Sequence, residues 1–297
     1  MAAEATAARG AVTLSAAATA QPRTQQRSRA YLNSLLILGF AIVAVLAAVL
    51  FIYPLLSPYS PSDPNFAEPT FAESSWSHPL GTDNFGRDTL TRLAYGGRID
   101  LVIALAATLV TLVVGGFLGL LSGYHGGWFD SLLMRLVDFT VTMPYLVLVI
   151  AIISILGTGP WNIVYAIWLV GWVAYARIVR AEALVARRQE YVEAARVMGM
   201  GELRIMVRHI LPNVISAAIV FAMADMVLNV LVASSLSFLG LGVQPPEPEW
   251  GLMVAEARDF FLRDWRLMTY PGLALLILGA GLGLIGDGLA QALRPKG

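Results

Sequence analysis

Cysteine is absent from this chain. That removes disulfides, thiolate zinc sites, iron–sulfur clusters and cysteine nucleophiles together. Lysine is almost absent as well: of 20 basic residues only Lys296, beside the C-terminus, is a lysine. A phosphate-binding loop of the type G-x-x-x-x-G-K-[ST] needs an internal lysine. Here the lysine is followed by Gly297, so no such loop exists, and Schiff-base chemistry on an internal lysine is excluded too. Charge is scarce: 13% of the 297 residues are charged and the net charge is zero, against about 25% in a typical soluble domain. Too little charge is available to cover a globular surface, which argues against a soluble enzyme. A neutral chain also argues against a nucleic-acid binder built on a basic face. The three histidines, His78, His125 and His209, lie on different segments with no metal-ligand spacing, so no zinc site is expected.

What is present is apolar: 57% of residues are hydrophobic. A bilayer core is crossed by roughly 20 apolar residues in a helix, and six segments qualify, about Leu35–Leu56, Leu101–Leu121, Val137–Leu156, Ile163–Ala176, Val214–Phe238 and Leu267–Leu289. The expected fold class is therefore an all-α membrane protein. Residues 1–30, rich in Ala, Thr, Gln and Arg, read as a disordered cytoplasmic tail. Residues 31–100 read as the first span with an extracytoplasmic segment, retained as an anchor and not cleaved as a signal peptide. Residues 101–297 read as a five-span core. With the N-terminus inside, 14 of the 20 basic residues fall on the cytoplasmic side and 6 outside, the asymmetry that the positive-inside rule expects. Both termini are then cytoplasmic.

Small residues four apart let helix backbones approach. Gly115, Gly119 and Gly123 form such a ridge, as do Gly279 and Gly283; ordinary packing is the first reading, a sliding surface the second. Asp225 lies inside the fifth span with Asn229 on the same face. A carboxylate at that depth usually faces a bundle interior or a water-filled cavity. It either lines a translocation path, attracting an ammonium group or a partner's gate, or fixes helix packing. Outside, Glu73, Asp83, Asp88, Asp100, Arg87, Arg92 and Arg98 read as solvated ion pairs. The stretch Gly240–Arg266 suggests an amphipathic helix at the membrane interface, and Trp76, Trp128, Trp161, Trp250 and Trp265 an aromatic belt.

The loop between spans four and five, within 180–213, is the most informative stretch. Glu190 to Met198 is built of good helix formers, Gly199 and Gly201 stop it, and Glu202 opens a second helix with its charge at the favourable end. Pro212 is placed where the next membrane helix would begin. The expected result is two short cytoplasmic helices joined by a tight turn, with Ala194 and Ala195 presenting a small face for another protein's cleft.

Glu193-Ala194-Ala195, then Gly199, then Ile210-Leu211-Pro212 resembles the EAA loop of ABC-importer permeases. His78-Pro79-Leu80-Gly81-Thr82-Asp83-Asn84-Phe85-Gly86-Arg87-Asp88, Ser237-Phe238-Leu239-Gly240-Leu241-Gly242 with Pro245-Pro246 and Trp250-Gly251, and Gly286-Asp287-Gly288 are similar to the C-type permease subunit of dipeptide, oligopeptide and nickel importers. The resemblance covers about Tyr31 to the end; Arg294-Pro295 stands where the family often has Asp-Pro. It implies a type I importer permease bundle of six transmembrane helices in a prokaryotic plasma membrane. It also implies a homologous B-type permease as heterodimer partner, two ABC ATPase subunits or one fused ATPase, and an extracytoplasmic substrate-binding protein. No catalytic set or cofactor is expected on this chain, with ATP and magnesium held by the ATPases. Nucleic acid is not an expected partner. The cargo would be dipeptides or oligopeptides, alternatively a nickel chelate or glutathione. A stand-alone secondary transporter is the competing class, though such a carrier needs no docking loop.

Overall fold

The computed structural model describes residues 21–293, with side chains from residue 34. The tail assigned to residues 1–30 lies outside these residues up to position 20; beyond that the chain is already helical. Ten α-helices follow: α1 Gln21–Leu56, α2 Thr89–His125, α3 Gly127–Val141, α4 Tyr145–Leu156, α5 Pro160–Ala186, α6 Glu190–Val197, α7 Glu202–Ile205, α8 Leu211–Phe238, α9 Trp250–Ala257 and α10 Arg266–Ala292. Five helical runs are long and apolar enough to cross a membrane, and the pair α3–α4 makes a sixth only if its two arms count as one span.

That pair corrects the expected third span. The segment Val137–Leu156 is not one helix: it breaks at Thr142–Pro144, and the arms meet at 90°. Pro144 supplies no N–H, and the residue before a proline is pushed away from helical backbone angles. With 12 residues, α4 is about 18 Å long at 1.5 Å per residue, short of a bilayer core. The other spans are longer than their apolar cores. The division expected at residue 100 falls inside α2, which starts at Thr89 because Asp88 caps it, accepting from the Thr91 amide at 2.8 Å.

The glycine ridge of α2 lies directly on the backbone of α5. A Cβ added at Gly115 would stand 2.2 Å from the Trp172 carbonyl oxygen, one at Gly119 2.4 Å from that of Ala176, and one at Gly123 2.7 Å from that of Arg180. Both series step by four residues, so one face of each helix meets the other. This is the packing reading of the ridge. The second expected ridge is not used that way: a Cβ on Gly283 would meet nothing. The close approach on α10 is made instead by Gly281 and Gly288, against Ile42, Val43 and Leu36 of α1, with Gly39 of α1 facing the Gly281 carbonyl.

Outside the bundle the expected solvated ion pairs are mostly buried and divide into separate groups. His78, Asp83, Arg87, Asp88 and Arg92 are all nearly inaccessible. Arg87 Nε donates to Asp83 at 2.7 Å, and His78 Nδ1 lies 2.9 Å from Asp88. Arg92 reaches Glu256 of α9 at 2.7 Å and the Pro61 carbonyl at 2.9 Å. This clasp joins the irregular segment 57–88 to α2 and α9. Arg98 instead holds the end of α1 through the Leu50 and Phe51 carbonyls, Asp100 accepts from the Trp250 amide at 3.1 Å, and Glu73 is exposed. Nor does α9 lie on the interface. Trp250, Leu252 and Met253 are buried, the Trp250 indole donates to Leu93 O at 2.8 Å, and Glu249 caps the helix through the Gly251 and Leu252 amides. Burial of its apolar face in the bundle outweighs interfacial placement.

Two outcomes follow from these contacts. Gly119→Val should destabilise the bundle by about 1–3 kcal/mol, as overpacking does, while Gly283→Ala should be neutral; thermal unfolding of the purified protein in detergent compares them. Arg92→Met removes the donor to the Glu256 carboxylate and the Pro61 carbonyl, while Asp83 keeps Arg87, and should cost about 1–3 kcal/mol, read by the same measurement.

Candidate functional site: an elbow after α5 and a cavity beside α8

After α5 the chain turns at Arg187–Gln189 into α6, whose two faces differ. Val192 and Ala195 are buried against Tyr124, Ala183, Ile205 and Ile210. Glu193 and Ala194 are exposed. The alanine pair therefore does not form one face: successive helical residues are 100° apart, so Ala195 anchors the helix and Ala194 is presented outward.

The helix ends in a Schellman turn. Gly199 has φ +76°, its amide donates to Arg196 O at 2.9 Å, and the Met200 amide reaches back to Ala195 O at 3.1 Å. A Cβ at Gly199 would meet no atom, so conformation alone requires glycine there. Gly201 then precedes α7. The second helix does not stop before the membrane: α7, a π-helical turn Met206–Ile210 and α8 form one continuous run from Glu202 to Phe238. Pro212 is the second residue of α8, at the start where the sequence placed it, although the π turn runs into α8 without a break. Its missing N–H and its ring disturb the α-helical ladder, and the wider π turn immediately before it absorbs that disturbance. Ile210 is fully buried under α6, Leu211 is partly buried and Pro212 is exposed. His209 sits half-buried in the π turn, and His125 lies 3.5 Å from Glu202.

The outer surface of this elbow is apolar. Val197 is 89% exposed, Met198 and Leu203 67% each, with Tyr191 and Val207 beside them and Arg196, Arg204 and Arg208 at the rim. An open groove of about 640 Å³ runs between Leu203, Arg204, Val207, Arg208 and Pro212. Contiguous exposed apolar side chains rimmed by charge mark a protein-binding surface.

Deeper in the bundle Asp225 and Asn229 sit on α8 as the spacing implies. Asp225 Oδ2 accepts from the Tyr175 hydroxyl of α5 at 2.9 Å and from Asn229 Nδ2 at 3.0 Å; Asn229 Nδ2 also donates to Thr108 Oγ1 of α2 at 3.0 Å. The chain of bonds ties three helices, so Asp225 does fix packing. It also borders a cavity of about 630 Å³ shared with Pro144, Tyr145, Arg177 and Leu228. Asn229 is nearly inaccessible and acts mainly through Asp225 and Thr108. The contributions of Tyr175, Thr108, Tyr145 and Arg177 were missed in the sequence. Their only signal there is polarity on otherwise apolar helices, and their convergence depends on helix rotation.

Several comparisons bear on this arrangement. Residues 115–296 match the family described as "Binding-protein-dependent transport system inner membrane component". The chain is 42% identical over 249 residues, 82% of each sequence, to a di/tripeptide transport system permease protein DppC of Pseudomonas aeruginosa strain UCBPP-PA14. It is 39% identical over 254 residues, 86% of this chain and 84% of the relative, to a glutathione transport system permease protein GsiD of Pectobacterium atrosepticum. Among solved structures, an inward-facing MetNI methionine ABC transporter superposes with a TM-score of 0.56 at 17% identity, covering 69% of this chain and 97% of that one.

The turn at Gly199 generates a test. Gly199→Val should cost about 1–2 kcal/mol, the left-handed penalty of a side chain, and Gly199→Asn less. Faster hydrogen exchange of the α6 amides in the valine variant is the expected result.

Proposed function

Since this chain belongs to the binding-protein-dependent transport system inner membrane component family, we propose that it is one membrane half of an ATP-driven peptide importer. The single observation that carries the proposal is the exposed apolar elbow of α6 and α7, in the setting of that family. Val197, Met198 and Leu203 form a surface that water does not favour, while Val192, Ala195 and Ile210 lock it to the bundle beneath. A displacement imposed on this elbow by an ATPase is transmitted along the unbroken run from α7 into α8. That run carries Asp225 and Asn229, which in this reading line the translocation path. Alternating exposure of the cavity then follows from rigid-body motion of the helices.

In this reading both termini are cytoplasmic, with α3–α4 as a bent sixth crossing, and the basic residues distribute accordingly. A homologous B-type permease completes the cavity on its open side. Two ABC ATPase subunits, or one fused ATPase, dock at the elbow and bind ATP with magnesium. An extracytoplasmic binding protein delivers cargo to the outer face near the clasp. This chain performs no catalysis and holds no cofactor of its own. The cargo is a dipeptide or short oligopeptide. Glutathione is the second reading, favoured by the similarity to the glutathione permease, and is itself a modified peptide; a nickel chelate is the more distant alternative.

The test is co-purification followed by uptake. The chain expressed with its neighbouring transport genes should bring an ATPase through affinity purification and support ATP-dependent uptake of labelled dipeptide. Recovery of the chain alone, with uptake driven by an ion gradient, would assign it to the stand-alone carriers. Leu203→Glu, which places a charge on the elbow without touching the core, should reduce ATPase recovery at least about tenfold, a loss of about 1.4 kcal/mol in binding, with the chain still present in the membrane.

A further inference from the structure

The cavity beside α8 carries two charges of opposite sign, and neither is closed off in a buried ion pair. Both donors to Asp225, the Tyr175 hydroxyl and the Asn229 amide, bind the same oxygen, Oδ2. Among the described residues Oδ1 accepts no hydrogen bond, and no basic side chain forms a salt bridge with this carboxylate. Arg177 borders the same cavity. Its partner is Asp138 at 2.8 Å, and those side chains are 51% and 71% exposed. An ion pair that exposed contributes little to stability, so the guanidinium can exchange Asp138 for another carboxylate at small cost. A carboxylate at membrane depth without a counter-charge is costly, and the occupant that removes this cost brings a cation to Oδ1. The cavity's volume, about 630 Å³, lies within the range of small-molecule sites, roughly 300–1,000 Å³. Its remaining walls are mainly apolar, from Val170, Val173, Leu228 and Val232 among others, and do not discriminate among side chains.

We infer that this cavity is a subsite for a zwitterionic cargo, an amino acid or short peptide, whose ammonium group binds Asp225 Oδ1 and whose carboxylate binds Arg177. The inference rests on the reading of the cavity as part of the translocation path and adds the chemical class that the path selects. Selection is by the two termini, so cargos of different side chains are accepted alike.

The absence of cysteine makes the test direct. Leu228→Cys, on the cavity wall and 53% exposed, gives this subunit a single maleimide target. Labelling is followed on the assembled transporter without its binding protein, so that only the membrane cavity is read. Millimolar glycyl-phenylalanine should slow labelling about tenfold, the ratio that 1.4 kcal/mol of protection gives. N-acetyl-glycyl-phenylalanine and the dipeptide C-terminal amide should protect little. Adding Asp225→Asn should abolish protection by the free dipeptide while the complex still assembles. Equal protection by the free and acetylated peptides, or full protection with Asp225→Asn, would overturn the inference. So would loss of the second permease from the Asp225→Asn complex, which would assign the missing cation to the partner subunit. A Leu228→Cys that stays unlabelled with and without ATP would instead overturn the path reading, and the inference with it.

Discussion

Three glycines of α2 hold its backbone against that of α5, and much of the bundle depends on that seam. In lipid, apolar side chains gain nothing by leaving the surrounding tails, so helix association rests on close contact and interhelical bonds. The Gly115–Gly119–Gly123 face provides the contact by letting main-chain atoms touch, where any side chain would stand within 3 Å of a carbonyl oxygen. The seam aligns Thr108 with Asn229 and Tyr175 with Asp225, so the polar chain across α2, α5 and α8 depends on it. Below, it continues into the cluster formed by Tyr124, Tyr175, Ala183 and the underside of the elbow. The exposed apolar elbow and the cavity are thereby built on one rigid contact.

The outer polar groups are held mainly by one another. The clasp of Asp83, Arg87, Arg92 and Glu256 keeps its charges paired and out of water. Buried pairs of this kind add little net stability but specify a single arrangement when every member is satisfied. They hold the irregular segment 57–88, which has no helix of its own, across the outer ends of α2 and α9. The carboxylate of Asp225 has one oxygen bonded, like that of Asp100, but borders a cavity.

The elbow shows how far helix chemistry is legible. Good helix formers, a left-handed glycine and an acidic first turn predict α6, its Schellman stop and the start of α7, because each signal acts within a few residues. The same local logic places Pro212 at the start of α8, where it is the second residue, but does not foresee that the helical run continues upstream of it. A π turn over Met206–Ile210 makes that join, and no local sequence signal announces it. It fails again at Val137–Leu156, where hydropathy sees one span and the backbone turns through a right angle at Pro144. Hydropathy sums apolar area along the chain and carries no term for direction. The stretch Gly240–Arg266 is a third case: its mix of apolar and charged residues suits an interface, and suits equally a helix, α9, inserted among α2, α8 and α10.

The family, the all-α membrane class, the number of apolar segments and the two-helix elbow were determined by the sequence itself. Each depends on composition or on spacing within one turn or two, and those are preserved whatever the tertiary arrangement. Only the tertiary structure decided which glycines meet a backbone, which alanine of the pair faces outward, that the outer charges are buried, and that Asp225 shares a cavity with Arg177. These depend on helix rotation and tilt, which are set by contacts between residues tens to more than a hundred positions apart.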